Sequence, residues 1–136
     1  MNDLRFKIYD LKEEIIYMRK TLVIGASNNP ERYSYLAAEK LLKYGHEIEL
    51  IGKRAEVIFG RTIDTDKKEF EDIDTVTMYI SEKFQEEYYE YIISLNPRRV
   101  IFNPGTENPE FEDLLIKNDI HVEEACTLVL LGTGQY

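Results

Sequence analysis

The sequence predicts an α/β fold: a single domain built on an open parallel sheet with helices on both faces. Three observations predict it. Short apolar runs rich in β-branched residues alternate with amphipathic segments, the pattern of parallel strands joined by helical crossovers. The first run, Thr21-Leu22-Val23-Ile24, breaks at Gly25 into small and polar residues before a helix begins beyond Pro30. The length of 136 residues suits one domain with a sizeable core.

The elements follow in order. Residues 1–17 are read as an N-terminal extension and 18–136 as the domain. In the extension Leu4, Ile8, Leu11 and Ile15, with Met18 beyond it, recur at helical spacing around Lys12, Glu13 and Glu14. They predict an amphipathic helix packed on the domain or on a partner subunit. Met18-Arg19-Lys20 also resembles a start of its own, just ahead of the first strand. After the Gly25 turn, Tyr35, Ala38, Leu41 and Leu42 make one apolar helix face, and Gly45 ends that helix. Ile48 to Ile51 is the second strand. Ala55 to Gly60 is read as one helical turn, and Arg61-Thr62-Ile63 as a short strand or loop. Thr75 to Ile80 is a clear strand, and Phe84, Tyr88, Tyr91, Ile92 and Leu95 line the helix behind it. Arg99 to Phe102 is a further strand. Pro109 opens a helix marked by Phe111, Leu114 and Leu115. The last strand lies near His121 to Glu123, and Cys126 to Leu131 is a terminal turn or short helix.

Composition narrows the function. The formal net charge is -9, which disfavours nonspecific nucleic-acid binding because that depends on neutralising phosphates. No apolar run is long enough to span a bilayer, and the first residues mix charge with hydrophobes unlike a signal peptide. The one cysteine excludes an internal disulfide framework, and a cytoplasmic location is expected. No grouping has zinc-site spacing, and no serine sits in a nucleophile elbow.

In an open parallel sheet, ligands sit beyond the carboxyl ends of the strands, so the chemistry is sought there. The strand, small-residue turn and helix at the first strand form the phosphate-cradling half of a Rossmann unit. Backbone N–H groups of Gly25, Ala26, Ser27 and Asn28, with the Ser27 hydroxyl, suit a pyrophosphate, and Asn29 and Arg32 follow closely. Gly25 alone matches the three-glycine dinucleotide fingerprint, and Ser27 stands where the second glycine belongs. Where an NAD site places a carboxylate, the second strand ends in Gly52-Lys53-Arg54. Two cations there suit the 3′-phosphate of CoA or the 2′-phosphate of NADP. Tyr79 ends the next strand. Asn103-Pro104-Gly105-Thr106-Glu107 is a stiff, specified loop, in which Asn103 and Gly105 are candidate cofactor contacts and Glu107, with Asn103, is a candidate for contacting a second ligand. Cys126 follows Glu123 and Glu124, which makes it a poor nucleophile on local sequence. His46 and His121 precede strands, at the end away from the ligand loops, and are read as structural.

The Gly25-Ala26-Ser27-Asn28-Asn29-Pro30 turn, with Asn103-Pro104-Gly105-Thr106-Glu107-Asn108-Pro109 and Glu124-Ala125-Cys126-Thr127, resembles the small single-domain CoA-binding proteins. These are relatives of the CoA-binding domain of the succinyl-CoA synthetase α subunit. The likeness runs from about Met18 to Tyr136, and the Gly-Thr-Gly-Gln-Tyr ending suggests one subgroup. It implies a Rossmann-like domain that holds coenzyme A or an acyl-CoA, with the pyrophosphate on Gly25 to Asn28 and Lys53 and Arg54 facing the phosphoadenosine. It places Tyr79 along the adenine or the pantetheine arm, and the Asn103–Glu107 loop near the emerging thiol. Smaller family members often have Asn-Pro at positions 53 and 54, so the phosphate contact here departs from their common pattern. The synthetase subunit carries its phosphohistidine in a second domain, so the resemblance brings over no ligase chemistry, and catalysis is not predicted. The alternative is an NADP-dependent oxidoreductase or other nucleotide-using enzyme. A third reading is a regulatory subunit without ligand. A homodimer or a partner enzyme subunit is compatible with each.

Overall fold

The computed structural model describes residues 19–136; the helix expected in the extension lies outside the described residues. Strands β1 (Thr21–Ala26), β2 (Ile48–Gly52), β3 (Val57–Ile58), β4 (Arg61–Asp64), β5 (Thr75–Met78), β6 (Arg99–Phe102) and β7 (His121–Glu124) form one sheet. The helices among them are α1 (Tyr33–Lys43), α2 (Tyr89–Leu95), α3 (Pro109–Lys117) and α4 (Thr127–Gly132). The sheet order is β3-β4-β2-β1-β5-β6-β7. Every pairing is parallel except that of β3 with β4. The parallel strands therefore follow the doubly wound order, and the switch point falls between β1 and β5.

The strand period places two cores. On β1, Leu22 and Ile24 pack with Tyr91, Ile92, Phe111 and Leu115 of α2 and α3. Val23, one residue out of phase, packs with Ala38 and Leu41 of α1 and Leu131 of α4. Both faces of β1 are apolar because both are covered, which is why the strand reads as a continuous run. The α3 helix starts where the sequence marks it: Pro109 stands at its first turn, and the Asn108 side chain accepts from Phe111 N.

Two segments differ from the sequence reading. Ala55 to Gly60 holds no helical turn. Val57–Ile58 pairs antiparallel with Thr62 and Arg61, and Phe59 (φ 52°) with Gly60 (φ 74°) makes the two-residue turn. Positive φ at both turn positions matches the twist of a tight hairpin. Burial of Ile58 and packing of Phe59 against Tyr35, with ring centroids 4.9 Å apart, hold a non-glycine residue in that conformation. The segment after β5 also departs. The strand stops at Met78, and two 3-10 turns, Glu82–Phe84 and Glu86–Tyr88, precede α2. Phe84 is consequently exposed instead of lining a helix.

A buried polar cluster closes the amino edge of the sheet. Arg99, nearly inaccessible, donates to Thr75 Oγ1 (3.0 Å), Glu123 Oε1 (3.1 Å) and the main-chain oxygen of Tyr136 (3.0 Å). Its guanidinium lies 4.3 Å from the Tyr136 ring centroid. His46 is buried beside that ring, and its Nδ1 accepts the Arg19 N–H at 2.8 Å. His121 is exposed, with Nε2 3.4 Å from Glu123.

Burial first, then the charges of Arg19 and Arg99, hold the His46 imidazole below its ordinary 6.5, against the opposing charge of Asp74. An unfolded chain takes up this proton below about pH 6.5 while the folded one resists it, so the stability from neutral His46 is complete above that pH and falls as pH drops through the window. Urea denaturation at about pH 7.5 and about pH 5.5 checks this. His46→Asn keeps an acceptor for the Arg19 amide, and it should lose less stability on acidification than the wild type. Equal losses would assign the acid response to other groups.

Candidate functional site

The carboxyl edge of β1 is shaped by two close backbone approaches. Gly25 has φ +98°, and a Cβ there would lie 2.9 Å from both the carbonyl carbon and oxygen of Tyr79. Gly52 meets β1 from the other side, where a Cβ would lie 2.3 Å from the Ala26 oxygen. The β1–β2 register slips between Ile24 and Ala26 at this point. On the β5 side, Tyr79 N donates to Ile24 O at 2.8 Å. Glycine is thus required on β1 and β2 because three strand ends converge on one turn.

Beyond the turn the chain bonds to itself. Ser27 Oγ accepts Asn29 N–H (3.0 Å), Asn29 Oδ1 accepts Glu31 N–H (2.9 Å), and Arg32 N donates to Asn29 O (3.0 Å). The α1 helix then begins with Arg32 at its N-cap, no side-chain cap and no acid in the first turn. Its free N–H groups and positive dipole end face the same edge as the Gly25 turn, an arrangement that attracts an anion. Asn28, Asn29 and Arg32 are exposed there.

Lys53 and Arg54 are exposed just beyond β2. Lys53 Nζ lies 5.6 Å from the Phe84 ring centroid, and Lys83 Nζ lies 5.2 Å from it. Since β1 lies between β2 and β5, Lys53 and Phe84 meet across the end of β1. The edge therefore gathers the Gly25–Asn28 turn, the α1 N-terminus with exposed Tyr33, the Lys53-Arg54 pair and the exposed Phe84 ring. Sequence reasoning missed Phe84, because its spacing with Tyr88 and Tyr91 mimics a helix face.

Two predicted site residues sit deeper. The Tyr79 ring packs with the cluster under α1 and α4. Its buried hydroxyl lies beside Thr127 and Thr77 without a hydrogen bond of good geometry, and burial raises its pKa. Its backbone is what meets Gly25. Asn103 is buried, and its amide is committed to the fold: Nδ2 donates to Thr77 Oγ1 (2.7 Å) and Met78 O (2.8 Å), and Oδ1 accepts Thr127 N–H (2.9 Å). The loop it begins is tied to the segment after β5. Gln85, fully buried, donates to Ile80 O (3.0 Å) and Thr106 O (2.8 Å), and its Oε1 accepts from Asn108 Nδ2 (2.9 Å). Gly105 is exposed, with φ +92° and its N–H donated to Glu107 Oε1 at 3.0 Å. Burial, with Glu124 and Glu107 nearby, raises the Glu112 carboxyl, although the Asn108 N–H opposes this. Among the described residues no group of three potential ligands gathers to hold a metal, and no helix is long and apolar enough to cross a membrane.

A family model described as "CoA binding domain" matches residues 19–132. The chain belongs to this CoA-binding domain family. No curated protein gives a significant match. The crystal structure of an uncharacterized protein, 47% identical, superposes with a TM-score of 0.86 over 88% of this chain and 98% of that one. A Thermus thermophilus protein, cell-free ID.343, is 22% identical with a TM-score of 0.75 and full coverage of both chains (100% and 100%). A hypothetical protein from Pyrococcus horikoshii OT3 is 24% identical with a TM-score of 0.76, covering 82% of this chain and 80% of that one. The last two likenesses establish the fold alone.

The close approaches set the cost of altering this edge. Gly25→Ala and Gly52→Ala should each destabilise the domain by about 1–3 kcal/mol, since backbone must move in both. Thermal or urea denaturation measures the loss. An unchanged midpoint in both variants would mean that the strand ends have room the geometry does not give them.

Proposed function

We propose that the chain is a binding module for coenzyme A or an acyl-CoA that holds its ligand without transforming it. The pyrophosphate would lie on the Gly25-Ala26-Ser27-Asn28 turn and the α1 N-terminus, with Asn29 and Arg32 beside it. Lys53 and Arg54 would face the 3′-phosphate. The observation that carries this reading is the Lys53-Arg54 pair, exposed beyond β2 at the same sheet edge as an uncapped helix N-terminus. A ligand with a pyrophosphate and a separate ribose phosphate matches both at once. Membership in the CoA-binding domain family supports coenzyme A over other nucleotides with that charge pattern. When bound, coenzyme A brings a thiol or thioester, and the protein groups here bind and orient it. Tyr79 contributes its backbone to the turn, and Asn103 fixes the loop that leads to exposed Gly105, where the pantetheine arm would pass.

Calorimetric titration with CoA, dephospho-CoA, NADP and NAD tests the assignment. CoA should bind more tightly than dephospho-CoA, and Lys53→Ala/Arg54→Ala should remove that gap, a change of roughly tenfold or more for a charge-assisted contact. Acetyl-CoA incubated with the protein should be recovered intact. NADP binding without CoA binding would overturn the reading in favour of a nucleotide-using enzyme. Equal binding of CoA and dephospho-CoA would remove the phosphate assignment.

A further inference from the structure

We propose that Phe84 is the platform on which the adenine of the coenzyme stacks, and that Gln85 is the positioning residue that holds it there. This rests on the CoA reading above and adds a base-binding element to it.

An exposed phenylalanine alone means little. Place, neighbours and anchoring set Phe84 apart. It is 52% exposed, and it lies at the carboxyl edge, where ligands of this fold bind. Its ring faces Lys53 Nζ at 5.6 Å, and Lys53 is one of the two cations assigned to the ribose phosphate. A phosphoadenosine carries its base and its 3′-phosphate on the same ribose, so its site needs an aromatic face and a cation within a few ångströms of each other. Lys53 and Phe84, brought together from beyond β2 and beyond β5, supply that pair. The lysine–ring contacts are exposed and weak in water, so a base can replace the ammonium over the ring while the lysine turns to the phosphate. Stacking on an aromatic face also tolerates any base, which leaves the 3′-phosphate to supply selectivity.

The anchoring comes from the next residue. Gln85 is fully buried with both amide hydrogens donated, to Ile80 O and Thr106 O, and its oxygen accepting from Asn108. A side chain bonded inward at three points leaves its neighbour Phe84 on the outer side of the 3-10 turn. The base platform is thus fixed to the Asn103–Asn108 loop through polar bonds instead of being a mobile surface ring. Tyr33 is also exposed at this edge, so the reporter is placed at position 84 itself.

The chain has no tryptophan, so Phe84→Trp installs a sole indole reporter on the platform. Binding of CoA should quench its fluorescence. Binding of 4′-phosphopantetheine, which lacks the adenosine, should leave the fluorescence unchanged. Phe84→Ala should weaken CoA by about tenfold, in the range of one lost base stack, with no change for 4′-phosphopantetheine. Gln85→Met, of similar volume, should show the same selective loss, which a general destabilisation would not produce. If wild-type protein binds no CoA, the functional reading fails and this inference with it. If wild type binds CoA while Phe84→Ala binds it equally well, or CoA saturates Phe84→Trp without quenching, only the platform is overturned.

Discussion

The convergence of three backbones at the end of β1 is the constraint on which the rest of the molecule depends. Gly25 passes within contact of the Tyr79 carbonyl, and Gly52 passes within contact of the Ala26 carbonyl. Neither approach leaves space for a Cβ. Together they turn the chain out of the central strand and deliver it to α1 with the first-turn amides unsatisfied by any side chain. The sheet order places this turn at the switch point, where helices leave opposite faces and a crevice opens. The anion-attracting character of the edge therefore follows from packing at two glycines. It exists in spite of a net charge of -9, so a phosphorylated ligand would be drawn by local cations and dipoles against the overall charge.

A second layer of support lies one strand further along. Asn103 joins β5, β6 and α4 through its amide, and Gln85 joins the segment after β5 to the loop after β6. Satisfied buried amides of this kind specify one arrangement, since losing a single partner leaves a desolvated polar group. The residues that look most functional in this loop thus divide. Asn103, Thr106 and Asn108 are buried and hold the edge in shape, while Pro104, Gly105 and Glu107 remain exposed on its surface. At the opposite edge Arg99, His46 and Tyr136 make a comparable cluster, so each end of the sheet is closed by polar contacts to a different loop or terminus.

Much of this was legible in the sequence. The apolar runs at Thr21, Thr75 and Arg99 announce buried strands because both sheet faces are covered, and Pro109 marks the α3 start through its own backbone chemistry. The turn at Gly25 was legible for the same reason, as a small residue between a strand and a helix. Ala55 to Gly60 was not, because a hairpin turn with Phe59 at positive φ depends on Tyr35, twenty-four residues earlier in the chain. The exposure of Phe84 was hidden by its helical spacing, and only the bonds of Gln85 to Ile80 and Thr106 reveal why the segment tightens into 3-10 turns. Asn103 reads in the sequence as a ligand contact, and the structure adds that its side-chain amide holds β5 and α4 to the loop; a polar residue at a strand end has one letter for both roles.

The central claim is that the carboxyl edge around β1 is where coenzyme A sits. Backbone amide chemical-shift mapping during a CoA titration tests it most directly. The account predicts that the perturbed amides cluster at Gly25 to Arg32, the first turn of α1, Lys53 and Arg54, and Ser81 to Gln85. Perturbations centred instead on the amino edge, around Arg99, His46 and Tyr136, would contradict it.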